Sequence, residues 1–598
     1  MTEILARIYQ NSQNNPDEKF TRLFRYMLRP DIYYMAYQKL YANIGASTPG
    51  VDKSDTADGF SEIKIHNIIE ALKSGTYFPK PTRRVYINKR NGKKRPLGLP
   101  TFTDKLVQEA LKIILQAVYE PVFLEQSHGF RPNMSCHTAL KAVSKELNGV
   151  RWFIEGDIKG CFDNINHHIL INRIRDKIKD ARIIQLLWKF LKSGYLEDWR
   201  YNATYSGTPQ GGIISPLLAN VYLHELDKFI MKLKERFDKP AKQKCTKEYS
   251  CLKNKVGRLK RKIKSAQTDE EKQNLIKAWK EVRRKMLKTP AKSQTDKVVK
   301  YVRYADDFII GINGSKEECQ DIKQQIAEFM SSELHMELSA EKTLITHSSK
   351  NARFLGYDVR VRRNNEIKKT DSLKLPKRTL NNLITLSIPL KNKIEVFMKE
   401  RRIMRTNKSG KLEPTHRKEL LSLTPLEILT VYNSELRGLC NYYHMAGNYS
   451  KLNYFNYIME YSCLKTLAAK FKTTIGKIKE KYRSGSKKWA IPYNTKAGRK
   501  LMYFAEHQRC RGKKIECDDT MSTHAIMFNY SRNTLEKRLK AHVCEICGRT
   551  DAEQYEIHHI HKVKDLTGVK LWERSMIAKR RKTMVVCREC HKEIHGGK

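Results

Sequence analysis

Apolar residues recur along the chain in two rhythms, and each predicts a different element. Val85-Tyr86-Ile87 reads as a short strand, Asn91-Gly92 as a turn and Pro96-Leu97-Gly98-Leu99-Pro100 as the return, so residues 83–100 predict a hairpin. From about Asp104 the spacing becomes helical, with Leu106, Ala110, Ile113, Ile114 and Ala117 on one face. Residues 152–158 predict an apolar strand that ends in Asp157. Ser215 then Pro216 predicts a helix start, Ser as N-cap and Pro in the first turn, with Leu218, Val221, Tyr222 and Phe229 turned inward. Residues 298–302 and 308–312 predict two more strands. Residues 385–480 read as helical, with Leu426, Ile428, Leu429, Leu436, Leu439, Tyr442 and Tyr443 as candidate core. Residues 1–80 mix short amphipathic helices with turns, for example Leu23, Tyr26 and Met27 ahead of the Arg29-Pro30 break. Ser484-Gly485-Ser486 predicts a linker, and there is no internal repeat.

A chain of 598 residues is too long for one core, and usual domain sizes suggest about four. Its charge changes the picture most: 115 Lys and Arg against 64 Asp and Glu leave a formal net of +51. Such an excess repels itself unless a polyanion neutralises it, and nucleic acid is favoured over a solvated basic surface or anionic lipid. Between Asp238 and Lys300 stand 21 basic residues against seven acids, which predicts a largely helical basic insert, with a solvated linker as the alternative. Apolar runs such as residues 308–312 are far too short for a bilayer, and residues 1–10 lack the layout of a signal peptide. Both features predict an intracellular protein.

Candidate chemistry falls in two places. Asp306 and Asp307, in Tyr304-Ala305-Asp306-Asp307, lie between two apolar strands, where adjacent carboxylates are costly without a cation. Asp157 ends another apolar strand. If these strands are neighbours, three carboxylates converge to hold two Mg²⁺ ions for an in-line phosphoryl transfer. The pair by itself would more often be a surface turn. Near the C-terminus, Cys544, Cys547, Cys587 and Cys590 form two Cys-x-x-Cys knuckles, which in a reducing compartment predict a structural four-thiolate Zn²⁺ site rather than disulfides. The other nine cysteines are scattered and read as buried thiols.

Six segments then occur in a fixed order: Arg95-Pro96-Leu97-Gly98, Ser127-His128-Gly129-Phe130-Arg131-Pro132, Glu155-Gly156-Asp157-Ile158-Lys159-Gly160-Cys161-Phe162-Asp163, Gly207-Thr208-Pro209-Gln210-Gly211-Gly212, Tyr304-Ala305-Asp306-Asp307 and Arg353-Phe354-Leu355-Gly356-Tyr357. This run resembles the group II intron-encoded reverse transcriptases, or maturases, over essentially the whole chain. The resemblance implies an α+β multidomain fold: a right-hand polymerase of fingers, palm and helical thumb, followed by a zinc-stapled ββα-metal module of the HNH nuclease type. The implied domains are an RNA-binding extension over 1–80, fingers and palm over 81–384 with the insert at 238–300, a maturase thumb over 385–483, a DNA-binding region over 484–540 and the nuclease over 541–598.

Residue roles follow from the same resemblance. Lys89 and Arg95 would hold the incoming triphosphate, as cations do for phosphates. Phe162 would pack beneath the sugar and exclude a 2′-hydroxyl, a role compatible with plain core packing. Gln210 would bond near the new base pair. Asp163 reads as structural. Arg437, Tyr442 and Tyr443 would grip template or intron RNA, although each singly suits helix packing. In the C-terminal module His559 would be the general base, while His558, His591 and His595 would bind the nuclease's divalent ion, Mg²⁺ as in the polymerase. The family's central Asn would fall near Lys582 and is absent. Arg532, Lys537, Arg538 and Lys540 would touch DNA. A knuckle that binds DNA without chemistry is the alternative.

The implied function is RNA-directed DNA polymerase, maturase that assists intron splicing, and site-specific DNA endonuclease for target-primed reverse transcription. Its partners would be intron RNA, target DNA and deoxynucleoside triphosphates, with no membrane and with a homodimer left open, in the cytoplasm of a bacterial host. A splicing factor that kept the fold without the chemistry, or the reverse transcriptase of another retroelement, is the alternative. Because the histidine cluster lies beyond a linker and inside its own zinc-stapled fold, the two chemistries are expected to be separable.

Overall fold

The computed structural model describes residues 1–596 except 42, 89–91, 93, 198–199, 203–206, 208–210, 240–244, 292–295, 365, 369–375, 408, 486–487, 496–497, 511–533 and 561–562. At its centre is a four-stranded antiparallel sheet in the order Val298–Tyr304, Asp307–Asn313, Trp152–Asp157, Leu344–His347. Both faces of this sheet are covered, which explains why its strands read as continuous apolar runs. Side chains alternate between the faces. Tyr301, Ile154, Phe308, Ile310 and Ile312 join one core, and Val302, Phe153 and Ile309 join the other. The first core holds the N-terminal helices and the buried helix Phe102–Tyr119; the second holds the helices Pro425–Tyr442 and Leu452–Lys470.

The predicted hairpin is present as Thr82–Asn88 paired with Lys94–Leu99, extended by a parallel contact to Tyr195–Glu197. The helix Ser215–Phe237 starts one residue earlier than the sequence suggests. Ile214 is the flanking residue and Ser215 is already helical, while the Gln108 side chain accepts the Ile213 amide just ahead of the helix at 2.9 Å. The basic insert forms two helices, Lys247–Ser265 and Asp269–Lys288, packed on each other with no buried residue in either. Arg378 fastens their base by donating to the carbonyls of Met286 and Leu287 at 2.6 and 3.0 Å.

Residues 385–480 are not helical throughout. They include the strand Ile384–Ser387, which extends the Ala352–Phe354 and Tyr357–Val361 hairpin, and a small hairpin of Met404–Thr406 with Leu412–Pro414. Nor does Ser484-Gly485 behave as a linker. Ser484 pairs with Lys488 across a turn where Gly485 has φ of 77°, and the next strands continue the sheet to Tyr503; Ser486 lies outside the described residues.

The C-terminal module packs against the N-terminal region. Its strand Tyr555–His559 pairs on one side with Thr583–Cys587 and on the other with Phe60–Ser61 of the N-terminal region. Tyr37 stacks on Phe60 with centroids 3.9 Å apart, and His542 lies 3.0 Å from Glu62. An unpaired strand edge presents free amide and carbonyl groups that such pairing satisfies. No helix among the described residues is long and apolar enough to cross a membrane.

Candidate active sites

The sheet register brings the predicted carboxylates together. Asp157 lies directly across from Asp307 at the ends of their strands, and Asp306 sits in the two-residue turn between them and Tyr304. Burial, then the charges of Asp306 and Asp157, push the Asp307 carboxyl up to about 7. Burial and Asp157 push Asp306 up as well, while Arg95 and Lys342 pull it down. The charge of Arg95 therefore reaches Asp306. Lys342, which sequence reasoning did not single out, donates to Asp157 at 2.8 Å. Three oxygen-donor side chains crowded at one strand end are a fitting seat for hard divalent cations.

The turn itself is built from behind. Ala305 has φ of 57°, and a Cβ on Gly129 would meet its nitrogen at 2.3 Å, so Gly129 is the residue type that lets the segment 127–132 close against the turn. The Arg303 guanidinium, fully buried, donates to Asp227, Ser127, Asn220 and the Ala305 carbonyl. Burial in that company holds the neighbouring His128 ring down to about 4, with Arg131 and Arg303 adding to the effect. Asp227 could have been noticed: it is an acid among Leu223, Leu226 and Ile230 on the inward side of a helix.

Phe162 is half-buried, edge-on to Phe130 at 6.1 Å. Gly211 comes so close to the hairpin that a Cβ would meet the Gly98 carbonyl at 2.4 Å. Lys89 and Gln210 lie outside the described residues, as does Arg532. Tyr442 and Tyr443 are not free to grip RNA, because their hydroxyls donate to the carbonyls of Leu355 at 2.6 Å and Gly356 at 3.3 Å. Arg437 instead lines an open groove with Trp489, Tyr493 and Arg509. Arg538 is committed to Glu545 and to the Thr583 carbonyl, and Lys540 to Glu536, which leaves Lys537 exposed for DNA.

In the C-terminal module the sulfurs of Cys544, Cys547, Cys587 and Cys590 all lie within 4.8 Å of one another, with Cys547 and Cys587 at 3.9 Å. Four thiolates on one zinc ion stand about 3.8 Å apart, so the set fits Zn²⁺. Burial raises the Cys544 thiol, but backbone hydrogen bonds around the knuckle outweigh it and leave the group near 7.

His558, His591 and His595 also converge, and Asp58, which no motif marks, joins them. His559 does not. Its ring turns to the Tyr41 carbonyl at 3.3 Å, and its amide donates to Asp58 Oδ1 at 2.7 Å. Lys582, at the place of the missing Asn, contributes a carbonyl to the Ile560 amide at 3.0 Å.

Comparison with known proteins agrees with this layout. Residues 87–246 and 275–359 match the family described as reverse transcriptase (RNA-dependent DNA polymerase). Residues 381–516 match type II intron maturase, and residues 544–591 match AI2M/AI1M-like, HNH endonuclease. The group II intron-encoded protein LtrA of Lactococcus lactis subsp. cremoris is 56% identical over 593 residues, covering 99% of this chain and 98% of that protein. An uncharacterized 91 kDa protein in the cob intron of Schizosaccharomyces pombe is 35% identical, covering 99% of this chain and 72% of its own. The putative COX1/OXI3 intron 2 protein of Saccharomyces cerevisiae is 30% identical, covering 99% and 68%. With near-complete coverage at such identity, the chain belongs to the group II intron-encoded proteins and carries reverse transcriptase, maturase and HNH endonuclease in one polypeptide.

Proposed function

We propose that Asp157, Asp306 and Asp307 form the polymerase centre and that His559 with the histidine trio forms the nuclease centre of a protein that copies its own intron RNA into a cleaved DNA target. The observation that carries the reading is the cross-strand pair of Asp157 and Asp307 with Asp306 in the adjoining turn. Magnesium bound there would supply the charge that activates the primer 3′-hydroxyl and steadies the departing pyrophosphate. The chain's own residues do the rest. Arg95 and Lys89 hold the triphosphate, Phe162 closes the floor beneath the sugar, and Gln210 borders the new base pair. Lys342 holds the Asp157 carboxylate in place by its hydrogen bond. In the nuclease, His559 accepts a proton from the attacking water, which requires its ring to turn from the Tyr41 carbonyl toward the trio.

The division at 80, 384, 483 and 540 assigns RNA binding to the first segment and to the thumb, DNA contacts to 484–540, and chemistry to the palm and the C-terminal module. Deoxynucleoside triphosphates are the substrates, and the net charge of +51 suits the two nucleic acids it must hold in a bacterial cytoplasm.

The test uses the purified RNA–protein complex. Asp306→Ala should lose primer extension on an RNA template and keep RNA binding. His559→Ala should fail to cut the second strand of intact target yet extend normally on target supplied with a nick, since losing a general base costs ~10²–10⁴-fold. Extension at the original rate by Asp306→Ala, or normal cleavage by His559→Ala, overturns the corresponding assignment.

A further inference from the structure

The N-terminal region reaches into the nuclease. Residues 57–61 run along the free edge of the strand Tyr555–His559, with the Gly59 amide donating to the Ile557 carbonyl at 3.1 Å and Phe60 paired with Ile557. This register delivers the Asp58 carboxylate to the middle of the histidine trio. Asp58 Oδ1 lies 3.3 Å from His558 Nδ1 and 3.2 Å from His591 Nε2, Asp58 Oδ2 lies 2.8 Å from His595 Nε2, and the two Nε2 atoms of His591 and His595 are 3.3 Å apart. Donors bound at about 2.1 Å to one ion, at right angles to each other, stand about 3 Å apart. The three distances from Asp58 and the one between His591 and His595 have that spacing, and all four ligand atoms lie within 4.8 Å of one another.

Two further observations point to a cation. His558 is buried, and neither of its ring nitrogens makes a hydrogen bond of good geometry. An orphaned imidazole in that position is costly unless something else takes its lone pair. His591 is gripped at Nδ1 by the Glu556 carboxylate, which turns Nε2 toward Asp58 and the other rings. A carboxylate behind an imidazole is the usual arrangement for a metal-binding histidine.

We propose that Asp58 is the fourth protein ligand of the nuclease ion, so that the site is composite, built by the two ends of the chain. This rests on the reading of His558, His591 and His595 as metal ligands. One carboxylate among three neutral imidazoles halves the excess charge of a bound dication. Imidazole-rich donors suit a first-row transition ion such as Mn²⁺ or Co²⁺ better than Mg²⁺, which prefers oxygen. Four protein ligands leave two positions of an octahedral ion for water and a DNA phosphate. Bound metal would also clamp the C-terminal module onto the N-terminal region.

The experiment titrates zinc-loaded full-length protein with Co²⁺ by calorimetry, in an Asp306→Ala background that removes competition from the polymerase, and measures DNA cleavage in parallel. Asp58→Asn keeps the acceptor for the His559 amide and so spares a merely structural role. It should weaken Co²⁺ binding by at least about tenfold and slow second-strand cleavage, with zinc content unchanged. Asp58→Ala should do the same. Wild-type Co²⁺ affinity in Asp58→Asn, or faster cleavage by Asp58→Ala, overturns the proposal; the second result would make Asp58 a plug in the site. His591→Ala separates the underlying reading. If it loses Co²⁺ while Asp58→Asn does not, only the Asp58 assignment falls. If it keeps Co²⁺, the histidine reading falls and Asp58 with it.

Discussion

Arg303 and Asp227 form a two-point ion pair with neither side chain exposed, Nε to Oδ1 at 2.7 Å and Nη2 to Oδ2 at 2.6 Å. The remaining guanidinium hydrogens reach Ser127, Asn220 and the carbonyl of Ala305, so one buried cation ties the helix Ser215–Phe237 to the turn that carries Asp306. Removing one partner strands the other charge in the core, which costs about 3–5 kcal/mol. Asp227→Asn should therefore lower the urea midpoint markedly. Arg303→Lys keeps the charge but cannot span Asp227 and Ala305 together, so primer extension should fall more than stability does. Full extension by a folded Arg303→Lys protein would show that the turn holds itself.

Phe162→Ala should admit ribonucleotides. The ring lies edge-on to Phe130 at the rim of the core, and truncation opens space where a sugar would rest. The measurement is the ratio of kcat/KM for deoxy- over ribonucleotide. An unchanged ratio would return Phe162 to packing alone.

Zinc should be found at about one ion per chain by metal analysis, and Cys547→Ser should release it and unfold residues 541–596, because so small a segment has little core of its own. The Phe60–Ser61 pairing predicts a second effect at the other end of the chain. Hydrogen exchange should accelerate around residues 57–61 as well, while extension from a supplied primer persists. Protection at 57–61 that survives the loss of zinc would mean the N-terminal segment is held by Tyr37 and Phe102 without the module.

Acid should destabilise the palm through His128 and His224. Burial holds both rings down to about 4 from an ordinary value of 6.5. In the unfolded chain they gain a proton near 6.5, and in the folded chain only near 4. The unfolded state thus binds more protons in this window, and stability falls as pH drops from about 6.5 to about 4. A shift of that size is worth up to about 3 kcal/mol for each ring. Urea midpoints of His224→Gln should fall less steeply over this range than those of the unaltered protein. Parallel slopes would assign the acid sensitivity to other groups.

Much of the polymerase could be read directly from the chain. Asp157, Asp306 and Asp307 stand at the ends of strands that are apolar on both faces, and such runs announce both the element and the anomaly at its end. The four cysteines were legible for a similar reason, since a two-residue spacing fixes the local geometry of a knuckle. Asp58 was not. It is one acid in a polar stretch, its partner His591 is 533 residues away, and no local period marks an edge strand two residues long. Tyr442 and Tyr443 answered to the packing reading rather than to the nucleic-acid one: the hairpin at Leu355 and Gly356 offers their hydroxyls carbonyls. The Ser484-Gly485 turn misled because the same residue types serve tight hairpins and loose connections alike.

The pairing of Phe60 with Ile557 also sets an order of events during synthesis. At about 5–20 residues per second, a ribosome that has just finished Phe60 needs roughly half a minute to two minutes to deliver Ile557. Throughout that time the polymerase can complete its own core while the edge at residues 57–61 has no strand beside it. The strand pair that joins the N-terminal region to the nuclease module can therefore form only after nearly all of the chain has been made.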